Sequence, residues 1–336
     1  MAEATAKEFR VGHQVLLRDA SDYTVDVNAK VTARELNGAS SYIAAKLLEA
    51  DDNSTTHDLR NCDVALIIGN INAEGAAMPD ALAYDPTKWY NYTQIFRTPL
   101  EITRTARRTR LRTGDQYREA KREALELHSI EMEKAFIWGI ATEGTGDNGK
   151  PERTTMGILG MLKASAAANC VDYSLDSDYA GEKWVVSGKK WFDKKLEVIF
   201  RYGNAEKLAL AGSGALLGLN ELAESLSTMN ISPGETSYGI KITKWMTAFG
   251  VINIMTHPLF SYEATNRNSI VILEPKNLKY RYIDDTSFYS EKEKQNTGWT
   301  RRDGTKEEFL TECGLEYHHP TTMGYFNSVG IDNTLV

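Results

Sequence analysis

One segment, residues 113–141 (TGDQYREAKREALELHSIEMEKAFIWGIA), constrains the fold most because its whole length is typical of a single helix. Thr113 followed by Gln116 predicts a capping box at its start. Strong helix formers fill the interior, and no proline follows before Pro151. At 1.5 Å per residue such a helix is roughly 40 Å long. The three glycines and the proline of residues 143–151 end it, so the chain is predicted to be built around one long spine helix.

The spine helix carries apolar side chains along one face and charged side chains along the other. This pattern predicts that one face is buried, and we expect its end to dock on a sheet formed partly by residues 309–317. The side chains predicted to pack are Ala124, Leu127, Ile130, Ile137 and Trp138.

The composition is that of an ordinary soluble protein, with 42% hydrophobic and 25% charged residues in a chain of 336, long enough for two or three cores. No apolar run approaches 18 residues, and the first residues lack the apolar region of a signal peptide, so neither a membrane span nor export is predicted. The three cysteines lie more than a hundred residues apart. We therefore expect reduced, structural thiols rather than a disulfide framework or a zinc knuckle.

The net charge of −7 hides one basic block, because residues 1–90 carry −6, residues 91–112 carry +5 and the remainder carries −6. Residues 90–112 are rich in Thr, Ile, Tyr and Phe, which predicts a long edge strand or a pair of strands. Its arginines are Arg97, Arg104, Arg107, Arg108, Arg110 and Arg112. Three interpretations are open: a solvated face, a salt-bridge ladder between subunits, or a nucleic-acid contact. Threonines between the arginines, and aromatic residues confined to one end, favour the ladder between subunits.

The remaining pattern predicts an α+β protein. Residues 1–35 have too few apolar residues for a core and are expected to form an extended arm that neighbouring subunits order. Residues 36–90 form a long excursion with a strand at 63–70 and a short strand or helix at 42–49. Later elements are helices at 187–202 and 213–227, strands at 208–211, 269–273 and 278–283, a hairpin at 238–257, a polar loop at 284–305, and two strands within 307–329.

The motifs that carry chemistry elsewhere favour structural explanations here. Gly212, Gly214 and Gly218 lie between a strand and a helix, but the GxGxxxG spacing without a following Lys-Ser/Thr argues against a phosphate cradle, and helix capping is favoured. His318 and His319 point to opposite sides of a strand, which is poor geometry for a shared metal. His128, also without a partner at ligand spacing, is interpreted as a helix-face histidine. We predict no enzyme activity, no cofactor and no metal.

The order of elements and some short signatures resemble the tailed-bacteriophage major capsid proteins. The residues that carry the resemblance are NYTQIFR at 91–97, the extended strand, the long helix ending in EKAFIWG at 133–139, and a C-terminal run from Glu307 to Gly324. The resemblance implies the Hong Kong 97 fold. Its parts would be an N-terminal arm at 1–35, an E-loop at 36–112, a P-domain at 113–205 holding the spine helix, an A-domain at 206–309, and a return to the P-domain with the C-terminal tail at 310–336.

The same resemblance implies a major capsid protein whose copies assemble into pentamers and hexamers of an icosahedral shell around phage double-stranded DNA. The implied partners are copies of the chain, a separate scaffolding protein, a portal, a possible decoration protein and non-specifically held DNA, with no membrane; the location is the virion, after assembly in the bacterial cytoplasm. The cross-linking residues of some relatives do not map onto this sequence, so a covalent shell is not predicted. Two alternatives remain: a nucleic-acid-binding protein using residues 97–112, and a hydrolase using the glycine-rich loop.

Overall fold

The computed structural model describes residues 1–23, 25–49, 59–79, 81–82, 88–109, 114–225, 231–237, 240–290 and 304–335, with the backbone alone for residues 225, 231–237 and 240–243. The chain divides into two units, Met1–Lys88 and Trp89–Val336. Helices and strands are mixed in sequence, which confirms the predicted α+β class.

The first unit is a four-stranded antiparallel sheet with a small core, so the expectation that residues 1–35 have too few apolar residues for a core is wrong. Val15 and Ala29 are paired across two strands, and with Val31 and Phe9 they form a small buried cluster. Alternating side chains on the two strands supply this cluster, so a low apolar content is sufficient to cover one face. The strand predicted at 63–70 is confirmed. The elements are α1 (Glu3–Lys7), β1 (His13–Arg18), β2 (Asp26–Glu35), β3 (Tyr42–Leu47) and β4 (Val64–Asn70), in the order β3-β2-β1-β4.

The second unit holds the spine helix, a three-stranded sheet, a hairpin and a seven-stranded mixed sheet. Its elements are β5 (Gln94–Thr103), α2 (Arg104–Arg108), α3 (Gln116–Trp138), β6 (Thr142–Thr145), β7 (Pro151–Thr154), α4 (Ile158–Ser165), β8 (Cys170–Asp172), α5 (Trp184–Phe200), β9 (Glu206–Ala211), α6 (Ser213–Ser225), β10 (Ile231–Ser237), β11 (Ile240–Met246), β12 (Val251–Thr256), α7 (Pro258–Tyr262), β13 (Ile270–Leu273), β14 (Leu278–Ser290), β15 (Gly304–Tyr317) and β16 (Gly324–Asn327). The strand orders are β14-β15-β5 and β10-β11-β12-β9-β13-β16-β8, with β6 paired to β7.

The spine helix is α3, and its ends differ from the predicted ones. The Asp115 side chain caps it by accepting a hydrogen bond from Tyr117 N at 3.0 Å, so Gln116 is the first helical residue and cannot complete a capping box. Thr113, the predicted cap, lies outside the described residues. The helix stops at Gly139, whose N–H bonds to Ala135 O and where a Cβ would come within 2.4 Å of Thr155 O. A glycine is therefore required for the close passage of the chain at this end.

The helix packs on two neighbours. Ala124 is buried against Leu100 and Phe309 of the three-stranded sheet. Ile137 is buried, and Trp138 half-buried, in a second cluster formed mainly by α4 and Phe260, with Leu315 and Tyr317 packed against its margin.

Two other members of the predicted apolar stripe are more exposed than the sequence pattern suggests. Leu127 is 55% exposed, which corrects its place in the stripe, and Ile130 is half-buried. The buried strip is narrow because the sheet contacts a single line of helix positions, one of which is His128.

The seven-stranded sheet carries an aromatic core under α5 and α6. Tyr173, Trp184, Trp191, Phe192 and Trp245 are buried there, with most ring pairs in edge-to-face contact. The helices predicted at 187–202 and 213–227 correspond to α5 and α6, and the hairpin predicted at 238–257 corresponds to β11 and β12. Residues 226–227 and 238–239 of these predictions lie outside the described residues.

The polar loop predicted at 284–305 is wrong in its first part, because β14 continues to Ser290 and pairs with β15. This part of β14 is an edge strand exposed to solvent and carries polar residues. It therefore lacks the alternation of apolar and polar residues from which a strand is predicted. No described helix combines the length and the apolar character needed to cross a membrane.

Candidate assembly surface

The arginine-rich segment changes from strand to helix at Thr103, where the sequence predicts an extended strand through residue 112. The Thr103 hydroxyl accepts a hydrogen bond from Ala106 N at 3.2 Å and so caps the short helix α2. Arginine and alanine are good helix formers, which favours the turn once it is capped. As a result, Arg104, Arg107 and Arg108 lie exposed on one helical turn. Arg110 and Arg112 lie outside the described residues.

Arg97 is paired with an acidic residue of its own chain. Its guanidinium binds Glu308 of the neighbouring strand through two nitrogens, at 2.6 to 3.0 Å. Pro99 lies opposite Glu308 in the strand register, so the pair runs diagonally across the outer face of the sheet. A bidentate arginine–carboxylate pair is geometrically specific, which makes Arg97 less available to a neighbouring subunit than the sequence predicts.

Arg107 attaches α2 to the first turn of the spine helix. Its guanidinium carbon lies 4.8 Å from the centre of the Tyr117 ring, a cation–π contact. The Tyr117 hydroxyl donates to Glu307 on β15 at 2.6 Å, and this hydrogen bond, together with burial, raises the pKa of Tyr117. The basic turn is therefore held in a fixed place at the junction of α3 and the sheet.

Both edges of the three-stranded sheet are protected against pairing with another strand. On β5, Pro99 has no N–H to donate. On β14, the register shifts between Tyr282 and Asp284 and again before Ser287, and such bulges disrupt the edge. Contacts at this end of the molecule are therefore expected to use side chains, such as the α2 arginines, rather than an added strand.

The glycine-rich loop at 212–218 is occupied by its own chain. Ser213 N donates to Ser261 Oγ, and Ala215 N donates to Arg267 O at 3.1 Å, so these two first-turn amides, which could otherwise bind a phosphate, already have partners. A Cβ on Gly212 would lie 2.2 Å from Arg267 O. These contacts favour a packing role over both the phosphate site and the hydrolase alternative.

His128, His257 and His318 each contact other side chains. His318 Nε2 lies 2.7 Å from Glu316, which also binds Arg281, and these two contacts lower the pKa of Glu316 to about 2. His257 Nε2 contacts Glu133 on α3 at 2.8 Å. His128, interpreted from the sequence as a helix-face residue, is fully buried. Within the described part of the chain, no three His, Cys, Asp or Glu side chains are grouped so that they could hold a metal ion.

Comparison with known proteins decides the family. The sequence matches the SU10 major capsid protein family over residues 8–330, nearly its whole length. The chain belongs to this family. It is a family of structural proteins of the virion capsid and not of enzymes, which confirms the resemblance noted in the sequence, the non-enzymatic prediction and the predicted location in the virion.

Individual relatives are more distant. The chain is 27% identical over 230 residues to the major capsid protein of Pseudomonas phage PaMx41, a match that covers 65% of this chain and 52% of that protein. The chain thus spans about half the length of this curated relative.

Similar solved structures share little sequence with the chain. The SrpI encapsulin of Synechococcus elongatus PCC 7942 has a TM-score of 0.48 at 12% identity, covering 72% of this chain and 75% of that one. The capsid of an empty GTA particle has a TM-score of 0.46 at 12% identity, covering 75% and 80%. The satellite phage P4 procapsid, which includes the size determination (Sid) protein, has a TM-score of 0.44 at 12% identity, covering 80% and 85%.

Proposed function

We propose that copies of this chain assemble into pentamers and hexamers of an icosahedral shell that encloses phage double-stranded DNA. The observation that carries the proposal is the family match over residues 8–330. Closed shells built from one chain require heterologous contacts, in which two different patches of the same molecule meet repeatedly around a ring. The chain would then act through its surface rather than through a catalytic centre.

The division into capsid-fold parts belongs to the same proposal. A Hong Kong 97 arrangement would assign α3 and the three-stranded sheet to the P-domain and most of the seven-stranded sheet to the A-domain. One sheet contains β1, β2, β3 and β4, so the proposed arm and the first part of the proposed E-loop share a folded unit. A separate scaffolding protein, a portal and a decoration protein remain proposed partners.

Assembly is tested by light scattering and negative-stain electron microscopy of the purified chain, with and without a co-expressed scaffolding protein. We expect rings or closed shells of uniform diameter. A monodisperse monomer under both conditions would contradict the proposal.

Within this function, we propose that the α2 arginines meet acidic residues of a neighbouring subunit and set the register of the contact. Arg104, Arg107 and Arg108 are exposed, and the net charge of the chain outside residues 91–112 is negative, which supplies acidic partners. Each exposed pair contributes only about 0 to 1 kcal/mol. The contact recurs at every equivalent interface, so its contribution multiplies across the shell.

The double variant Arg107→Glu with Arg108→Glu is expected to stop shell formation, because it places negative charge where cations are needed. The subunit should still fold, with circular dichroism close to wild type and a loss of stability of about 1 kcal/mol or less from the Tyr117 contact. Moderate salt should also weaken wild-type shells by screening exposed pairs.

The matched control is Arg118→Glu with Arg122→Glu, which makes the same change in net charge on the exposed side of α3. If the control stops assembly equally, net charge rather than α2 is responsible. If the α2 variant forms normal shells that package less DNA, the arginines face the genome and the nucleic-acid alternative describes their role.

A further inference from the structure

A continuous chain of hydrogen bonds crosses the buried interface between the spine helix and the three-stranded sheet. His128 is fully buried at its centre. Its Nδ1 lies 2.9 Å from Thr98 Oγ1 on β5, and its Nε2 lies 2.7 Å from Thr311 Oγ1 on β15. Thr98 continues to Glu131 at 3.2 Å, and Thr311 continues to Thr286 of β14 at 2.9 Å. This series of hydrogen bonds therefore connects α3 to all three strands of the sheet.

The donor and acceptor roles in this series of hydrogen bonds follow from the Glu131 carboxylate, which can only accept. The Glu131 carboxylate accepts from the Thr98 hydroxyl, so the Thr98 oxygen must accept from His128 Nδ1–H. Nε2 of the neutral imidazole is then an acceptor and takes the Thr311 hydrogen, and Thr311 in turn accepts from Thr286. Every polar atom in the chain is satisfied in this arrangement, which assigns the proton of neutral His128 to Nδ1.

A second proton can enter this site without leaving a hydrogen bond unmade. Protonated Nε2 would donate to Thr311, whose own hydrogen would turn to Thr286, an exposed residue that can donate to water. The reversal needs only rotations of two hydroxyl groups. It nevertheless places a positive charge in a buried interface against the Phe309 ring, 6.1 Å away between centroids, and burial of a charge is costly.

We propose that His128 is a proton-operated lock: the neutral imidazole holds the spine helix on the three-stranded sheet, and its protonation loosens that attachment in the folded subunit. The lock is a property of the single chain and does not depend on shell assembly.

The groups around His128 set the direction of the effect. On α3 the charged neighbour is Glu131, which favours the imidazolium. Phe96 and Leu100 flank Thr98 on β5. On β15 the titratable residues of the same face are Cys313 and Glu307, and on β14 Asp285 adjoins Thr286 and is bonded to the Tyr280 hydroxyl.

Burial outweighs Glu131 and lowers the pKa of His128. A histidine with a lowered folded-state pKa stabilises the folded contact fully above the pKa of an exposed histidine, about 6.5, and progressively less as the pH falls below that value. The attachment of α3 should therefore weaken between neutral and mildly acidic pH.

The test is hydrogen exchange of the full-length chain at pH 7.5 and 5.5, at one oligomeric state verified by light scattering. Results are expressed as protection factors, which correct for the intrinsic pH dependence of exchange. Protection of α3 and β15 amides should fall in wild type at pH 5.5 by up to about tenfold, because that pH lies one unit below the pKa of an exposed histidine, about 6.5. In His128→Gln, which keeps a polar contact toward Thr311 but cannot titrate, protection should not change with pH.

The matched control is His318→Gln, an exposed histidine bonded to Glu316, which should retain the wild-type response. A pH response that persists in His128→Gln would overturn the proposal, and a response lost in His318→Gln would do the same.

Should His128→Gln fail to fold, nuclear magnetic resonance of wild type with labelled histidine rings decides. A His128 titration below pH 6.5 supports the lock, and one at or above 6.5 refutes it. His257, which also contacts α3 through Glu133, is followed by its own signal.

Discussion

At the scale of single residues, Gly218 shows that a close approach between two backbone segments can make glycine more stabilising than alanine inside a helix. Gly218 is inside α6, where alanine would normally stabilise a helix by about 1 kcal/mol. Here a Cβ would lie 2.3 Å from Gly330 Cα, and Gly218 O accepts a hydrogen bond from the Trp184 indole. We expect Gly218→Ala to lower the free energy of unfolding by about 1 to 3 kcal/mol, because the backbone around Gly330 must move.

Urea unfolding of the unassembled subunit measures this change. Gly144→Ala is the matched control, since Gly144 is exposed and a Cβ added there would meet nothing within 4 Å; its effect should be within about 0.5 kcal/mol. A Gly218→Ala subunit as stable as wild type would show that the approach to Gly330 is not close in solution.

The same residues show what sequence spacing can and cannot establish. The GxGxxxG pattern identifies a strand-to-helix junction, and that junction exists. The need for glycine at these three positions comes from Arg267, Asn268 and Gly330, which approach them from distant parts of the chain. Likewise, nothing in the local sequence pairs Arg97 with Glu308, 211 residues away, and so the pattern predicted an arginine free for a neighbour.

At the scale of elements, the end of the spine helix offers a direct comparison of buried and exposed positions. The Trp138 ring lies 5.4 Å from that of Phe260 and is half-buried. Trp138→Ala should lower the free energy of unfolding of the subunit by about 2 kcal/mol, less than for a fully buried tryptophan. Leu127→Ala on the same helix should change it by less than about 0.5 kcal/mol, since that side chain is 55% exposed. Equal effects in denaturant titrations would mean that the helix is rotated from its described orientation.

Local periodicity predicted the existence and type of most elements but not their ends. The helix from Gln116 to Trp138 and the strands around β9 follow their apolar patterns. Ends depend on partners outside the pattern: Asp332 accepts from Trp184 N at the start of α5, although the two residues are 148 positions apart. The turn of residues 104–108 into a helix depends on a single threonine cap within a segment whose composition favours a strand.

At the scale of the whole molecule, the two units hold very different amounts of core. Each sheet lies entirely within one unit. Among the residues that the structure describes, the first unit buries a cluster of four apolar side chains, whereas the second contains an eighteen-residue cluster under α5 and α6 as well as the clusters around α3. Stability follows buried apolar area, so the second unit should supply most of the resistance to unfolding.

This contrast predicts that a fragment of residues 89–336 folds without the first unit. Its thermal unfolding should remain cooperative, with a midpoint within a few degrees of the main transition of the full chain, because its sheets and clusters are complete. A fragment of residues 1–88 should melt at a lower temperature or not cooperatively, as expected for a small core. Calorimetry and near-ultraviolet circular dichroism compare the three proteins. If residues 89–336 aggregate or lose cooperative melting while the full chain does not, the second unit does not fold by itself and the prediction is wrong.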